Sequence, residues 1–454
     1  MAFGQSISRG KSTVSGKILL RLGVGVVSMC SAAQAGEAED LAALKAEIAD
    51  LRSDYEARIE ALEKRLQAAE AKSDEPTTIA AAPPTPTPAP APAAPRAPIG
   101  QNAYNPAISV VLNGTFAAFE NDPSAAVIPG FPLDGEAGLA DRGFSLGESE
   151  LALNANIDHR VYGNLIFALT DEGEVEVEEA YIQTTSLPGG FTLKGGRFFS
   201  GIGYLNENHA HNWDFIDAPL PYRAFLANQL GDAGLQLRWI APTDFYLEAG
   251  AEVMRGDGFP AGGAANNGAG TYAGFVQTGG DIGVSSSWLA KVSYLRAKSD
   301  QRDINGDIFS GRDTLGILSL VYKWAPNGNA TTRNLIVNGE YFFGNERGDY
   351  NLTPVDLDRS GFYAQAVYQF RPRWRAGARY ARLMSDSAPA GLISTALDDL
   401  GRSPDAISAL LEFDTSEFSR FRLMYTYDNS DTSSNNEFLA RYTVIFGPHG
   451  AHRF

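Results

Sequence analysis

Within eleven residues, Glu207, His209, His211, Asp214 and Asp217 bring two imidazoles and three carboxylates together. Imidazoles two positions apart with carboxylates nearby are the ligand types a borderline metal such as zinc takes. His209 and His211 are therefore candidate metal ligands, although no third ligand stands at a fixed spacing. The other reading is that these polar groups hydrogen-bond their own loop to a wet wall. A second set is cationic. Arg373, Arg375 and Arg379 alternate with Trp374, Ala376, Ala378 and Tyr380, and Arg420 and Arg422 flank Phe421. On a strand this period puts the guanidinium groups on one face. There they either attract anions or pair with acids such as Glu340 and Glu412. A third set is acidic, with Asp171, Glu172, Glu174, Glu176, Glu178 and Glu179 in one turn. It reads as a solvated loop, or as a cation-attracting patch that bridges lipopolysaccharide through divalent ions. Neither His159 nor the histidines near Gly450 stand beside a nucleophile in a catalytic pattern.

Composition narrows the setting for these groups. The chain has 454 residues and a net charge of -17, which argues against a nucleic-acid partner. Its one cysteine, Cys30, rules out a disulfide framework and a cysteine zinc site. The sequence has no apolar run long enough for a membrane-spanning helix. Strands that alternate through a bilayer average to modest hydropathy and remain open.

The chain divides into four parts. Residues 1–35 read as a cleaved signal peptide, with Arg9, Lys11 and Lys17 ahead of an apolar stretch and Ala33-Gln34-Ala35 at the cleavage point. Residues 36–72 carry a heptad stripe from Leu41 to Ala69 with one stutter between Tyr55 and Ile59, which predicts a short coiled-coil helix that oligomerises the chain. Residues 73–98 are rich in Pro, Ala and Thr and predict an extended tether. Residues 99–454 alternate with period two. Phe245, Leu247, Ala249, Ala251 and Val253, for example, are interleaved with Tyr246, Glu248 and Glu252.

The length of the apolar faces, the aromatic residues at their ends, and short turns alternating with long polar loops predict an all-β transmembrane antiparallel barrel. Candidate strands begin near Ile108, Phe144, Val161, Val175, Phe191, Leu235, Phe245, Tyr272, Trp288, Leu315, Leu335, Phe362, Trp374, Ala406, Phe421 and Phe438. That is about sixteen, an even number, as antiparallel closure requires. Such a barrel leaves a water-filled lumen. Long loops are expected at Arg255–Gly270, Ser299–Arg312, Asn345–Arg359 and Ser385–Arg402. From Gly201 to Gly231 the alternation lapses. A stretch of that length inside a domain is usually functional. It is expected to fold into the lumen as a constriction loop carrying Glu207, His209, His211, Asp214, Asp217 and Arg223, with an external cap or a contact between subunits as the other readings. The arginines Arg373, Arg375, Arg379, Arg420 and Arg422 are expected to line the pore, because an arginine facing lipid is costly. The terminal Phe454 continues the outward phase of the last strand, like the signal read by the barrel assembly machinery.

The run Glu178-Glu179-Ala180-Tyr181-Ile182-Gln183, then Leu187-Pro188-Gly189-Gly190-Phe191 through Gly195-Gly196-Arg197-Phe198-Phe199, then Gly201-Ile202-Gly203, resembles the phosphate-selective porin family. Leu146–Leu151 and Gly447–Phe454 are similar to segments of a proteobacterial branch of outer-membrane porins. The resemblance implies a homotrimer of sixteen-stranded barrels in the bacterial outer membrane, set in lipid and lipopolysaccharide. It implies passive diffusion of small hydrophilic solutes or ions, with no cofactor and no enzymatic activity. The alternatives are a channel that binds zinc or another divalent cation, and an outer-membrane barrel enzyme. One departure stands out. Acids outnumber bases in residues 99–454, and Lys194, Lys291, Lys298 and Lys323 are the lysines there, so phosphate selectivity does not carry over.

Overall fold

The computed structural model describes residues 106–169, 173–263 and 267–447. The expected signal peptide, coiled coil and tether lie outside the described residues, as do Asp171, Glu172 and Phe454.

Sixteen strands form the wall. They are β1 (Ala107–Phe119), β2 (Ser149–Asn156), β3 (Val161–Leu169), β4 (Val175–Thr184), β5 (Phe191–Phe199), β6 (Gly231–Ile240), β7 (Tyr246–Met254) and β8 (Thr271–Ile282). The second half comprises β9 (Ser286–Ile304), β10 (Asp307–Trp324), β11 (Asn334–Tyr350), β12 (Thr353–Arg371), β13 (Trp374–Ser385), β14 (Asp405–Ser416), β15 (Ser419–Asn429) and β16 (Asn435–Phe446). Each pairs antiparallel with its chain neighbour. β1 also pairs with β16, from Val110 opposite Phe446 to Phe119 opposite Glu437, and this ladder closes the barrel. Closure removes the sheet edges that a bilayer does not tolerate. Two short segments, Gly143–Ser145 and Gly262–Gly263, add pairing at one end.

The alternation has the polarity of a membrane barrel. Leu235, Val276, Val292 and Leu320 point outward and are each about half exposed or more, while Gln236, Gln277, Lys291 and Ser319 on the opposite phase are buried. Such an apolar belt on all sides exceeds the patches a soluble monomer shows. Registered outward neighbours Trp374, Phe413, Phe421 and Tyr442 form an aromatic row across four strands near the short turns, where an aromatic girdle sits in barrels of this kind.

Three sequence expectations are corrected. Phe144 belongs to the short segment Gly143–Ser145, and the wall strand begins at Ser149. Ser299–Arg312 and Asn345–Arg359 are hairpins rather than loops. β9 with β10 and β11 with β12 stay paired up to two-residue turns at Asn305-Gly306 and Asn351-Leu352. Both Asn305 and Gly306 have positive φ, 57° and 90°, which suits a tight hairpin turn. These extensions read as loops because charge fills them. The charge has an inner job: Glu346 of β11 takes Arg302 of β9 at 3.3 Å and Arg359 of β12 at 3.2 Å, and Arg302 also reaches Asp313 of β10 at 3.1 Å.

Candidate functional site

Phe191–Phe199 and Gly231–Ile240 are partners in the wall, so the chain between them must leave it. Residues 200–230 fold across the lumen. The segment carries one short helix, α1 (Leu220–Leu226), with Pro221 in its first turn and Ala227 in the left-handed conformation at its end. Apolar residues of the loop, among them Trp213, Leu220, Tyr222 and Phe225, pack on Ile317, Phe342, Tyr363 and Leu383 of the inner wall to make a buried core inside the barrel.

Polar contacts fix the loop on all sides. On one side Lys291 of β9 donates to the carbonyls of Gly201 and Gly203 at 2.7 and 2.8 Å. Glu252 of β7 accepts from the Gly201 N–H at 2.8 Å. Glu207 pairs with Arg238 of β6 and, at 3.5 Å, with Lys291. Burial pushes the Glu207 carboxyl up, but Lys291 and Arg238 outweigh it and hold it at about 2. Glu340 of β11 accepts four hydrogen bonds: from the Tyr204 N–H, from the hydroxyls of Tyr222 and Tyr363, each at 2.7 Å, and from Ser319 at 2.5 Å.

Further round the wall, on β13 to β15, stand the arginines. Arg375 of β13, Glu412 of β14, Arg422 of β15 and Arg441 of β16 are registered neighbours on the inner face. Arg375 pairs with loop residue Asp214 at 2.7 Å and with Glu412 at 2.9 Å. Arg379 pairs with Asp217. Arg420 donates to the His211 carbonyl, and Arg422 donates to that of Trp213 at 2.8 Å. Arg223, on α1, donates to the Ala137 carbonyl at 3.1 Å. Arg375, Arg379, Arg420 and Arg422 thus face inward, with loop acids and carbonyls as their partners. Arg373 differs. It lies in the turn before β13, with φ 71°, exposed at the rim. Proline at 372 ends the strand pattern there, and alternation alone does not show it. Glu412 neutralises arginines as the sequence suggests, whereas the partners of Glu340 are hydroxyls and a backbone N–H.

The third anchor is the histidine pair. The 3-10 turn Ala210–Asn212 stacks His209 on His211, with ring centroids 5.7 Å apart. His211 Nδ1 lies 2.5 Å from Glu150 of β2. His209 Nδ1 lies 3.1 Å from Glu178 and its Nε2 3.2 Å from Glu179, both of β4. Consecutive strand residues ordinarily point to opposite faces. Here a bulge falls between Ile166 and Phe167 of β3, opposite Glu178, and turns both carboxylates inward. Burial works against charge on His209, but Glu150, Glu178 and Glu179 outweigh it and raise its pKa well above the ordinary imidazole value. Burial, with Glu178 beside it, pushes the Glu148 carboxyl up to about 8. Sequence reading placed His209 and His211 in the loop but missed Glu148, Glu150, Glu178 and Glu179 as their partners. The inward phase of Glu150 is readable from Leu151 and Leu153; the bulge has no sequence signature.

Two cavities of mixed lining lie on either side of the loop. One of about 190 Å³ is lined by Glu148, Trp213, Asp217, Glu437 and Arg441 toward the long-loop end. Another of about 570 Å³ is lined by Asn212, Asp214, Arg373, Arg375 and Glu412 toward the short-turn end. Asn212, Trp213 and Asp214 therefore form the partition between them.

No family model matches the chain. An uncharacterized protein of Aquifex aeolicus is 31% identical over 395 residues, which span 79% of this chain and 81% of that one. The chain belongs to that protein's family. Among solved structures, the loop L8 deletion mutant of OmpT, an outer membrane protein of Vibrio cholerae, is 14% identical and covers 76% of this chain and 100% of its own, with a TM-score of 0.51. The anion-selective porin from Comamonas acidovorans is 10% identical and covers 75% of this chain and 99% of its own, with a TM-score of 0.49. The likeness to the first of these shows the fold of this chain, that of an outer-membrane β-barrel.

Proposed function

We propose that the chain is a porin of the bacterial outer membrane, passing small hydrophilic solutes or ions passively through a barrel narrowed by residues 200–230. The observation that carries this reading is the loop itself. It is braced against opposite walls while cavities of about 570 and 190 Å³, each large enough for several waters, persist on either side of Asn212–Asp214. An inward loop of charged and aromatic residues does little for a barrel that only anchors in lipid, but it sets the bore of one that conducts. The likeness of residues 178–203 to phosphate-selective porins points the same way.

Export through a cleaved signal peptide, assembly through the terminal Phe454, contact with lipopolysaccharide and a homotrimer seeded by the coiled coil belong to the same proposal. The test is reconstitution in planar bilayers. Stepwise conductance increments, with a reversal potential measured in a KCl gradient, are expected. Purified, folded protein that gives no steps rejects the channel.

A further inference from the structure

We propose that Glu150, His209 and His211, completed by Glu178 or Glu148, bind one borderline divalent cation such as zinc where the constriction loop meets β2 and β4. One donor atom each from Glu150, His209 and His211 lies within 4.8 Å of the others, and Glu148, Glu150, Glu178 and His209 form a second set within the same limit. Glu150 and His209 belong to both. Ligands at about 2.0–2.1 Å from a tetrahedral zinc stand roughly 3.3 Å from one another. The distances between donors are 2.5 Å for His211 to Glu150, 3.1 Å for His209 to Glu178 and 3.5 Å for His209 to Glu150. They bracket that value, with the two histidines reaching different oxygens of Glu150, so the carboxylate can meet the ion through one oxygen or both.

Orientation supplies a second argument. A metal-bound imidazole is usually held by a carboxylate on its other nitrogen. Glu179 stands 3.2 Å from His209 Nε2, and its other oxygen accepts from the Phe199 N–H at 3.2 Å. With Nε2–H donated to Glu179, Nδ1 of His209 faces Glu150 and Glu178, and the proton it holds there is released when the metal binds. The bulge at Glu178 is what makes this possible, since it places a ligand carboxylate and an orienting carboxylate side by side on one inner face. Two nitrogens with carboxylate oxygens suit zinc rather than magnesium or calcium, which prefer all-oxygen sites. The cavity of about 190 Å³ on the long-loop side borders the site, with Glu148 and Ala210 in its lining. The site does not depend on conduction, and its occupant also stitches the loop to the wall.

The test uses the full-length protein without a histidine tag, in detergent, stripped with chelator and titrated with zinc chloride in a calorimeter. One saturable site per chain is expected. His209→Ala and Glu150→Gln should each weaken it at least tenfold, and Glu179→Gln by about 10–100-fold through lost orientation. Variants are compared only where their unboiled gel mobility matches the parent. X-ray absorption at the zinc edge of the loaded parent should show a first shell near 2.0–2.1 Å with imidazole scattering. Absence of saturable heat, affinities unchanged in the variants, or a shell of water oxygens alone would overturn the site. Conductance recorded in chelator reports on the channel separately, so failure of one reading is distinguishable from failure of the other.

Discussion

Glu340 shows how much a single buried carboxylate does here. Its four donors come from the loop and from two wall strands, and a hydrogen bond to a charged group contributes about 1.5–3 kcal/mol. Glu340→Ala is expected to free this side of the loop and raise single-channel conductance, with gel mobility of the folded barrel retained; unchanged conductance would show that the apolar packing holds the loop unaided. Glu207 gives a pH prediction. Its folded pKa, about 2, lies below the ordinary 4.5. Its ion pairs therefore stabilise the loop fully above pH 4.5, and that contribution is lost as pH falls toward 2. The difference in conductance between the parent and Glu207→Gln should be constant from pH 7 to about 5 and vanish toward pH 2. Only part of this residue-level picture was legible beforehand. Period two places Arg375, Arg379, Arg420 and Arg422 inside, because lipid excludes them. Their partners depend on how an irregular loop folds, and nothing in its spacing reveals that.

At the scale of elements, strand existence was legible and strand ends were not. Alternation works where one face meets hydrocarbon and the other meets water. Beyond the membrane both faces meet water, the contrast disappears, and the tips of β9 to β12 look like loops. The constriction loop has its own fixed point at Gly203. Its φ is +63°, and an added Cβ would stand 2.5 Å from the Tyr222 hydroxyl, which is itself tied to Glu340. A left-handed alanine costs about 1–2 kcal/mol before that clash. Gly203→Ala should therefore disturb the same anchor as Glu340→Ala, and the double variant should conduct no differently from the more affected single one. Additive effects would mean two independent anchors.

For the whole molecule, closure by β1 and β16 predicts a β-rich circular dichroism spectrum and different gel mobility before and after boiling; recovery as a soluble helical protein would contradict the barrel. Deleting residues 36–98 should leave single-channel conductance nearly unchanged while weakening oligomer bands, since the wall begins at Ala107. The inner brace has a further, mechanical consequence. A thin-walled tube squeezed from the side flattens unless something spans its diameter. Residues 200–230 act as such a strut, seated on Glu340 of β11 at one end and on Glu150 of β2 and Glu179 of β4 at the other. Membrane tension and lipid thickness should therefore deform this cross-section less than that of an unbraced tube, and releasing the strut should make the bore sensitive to the lipids around it.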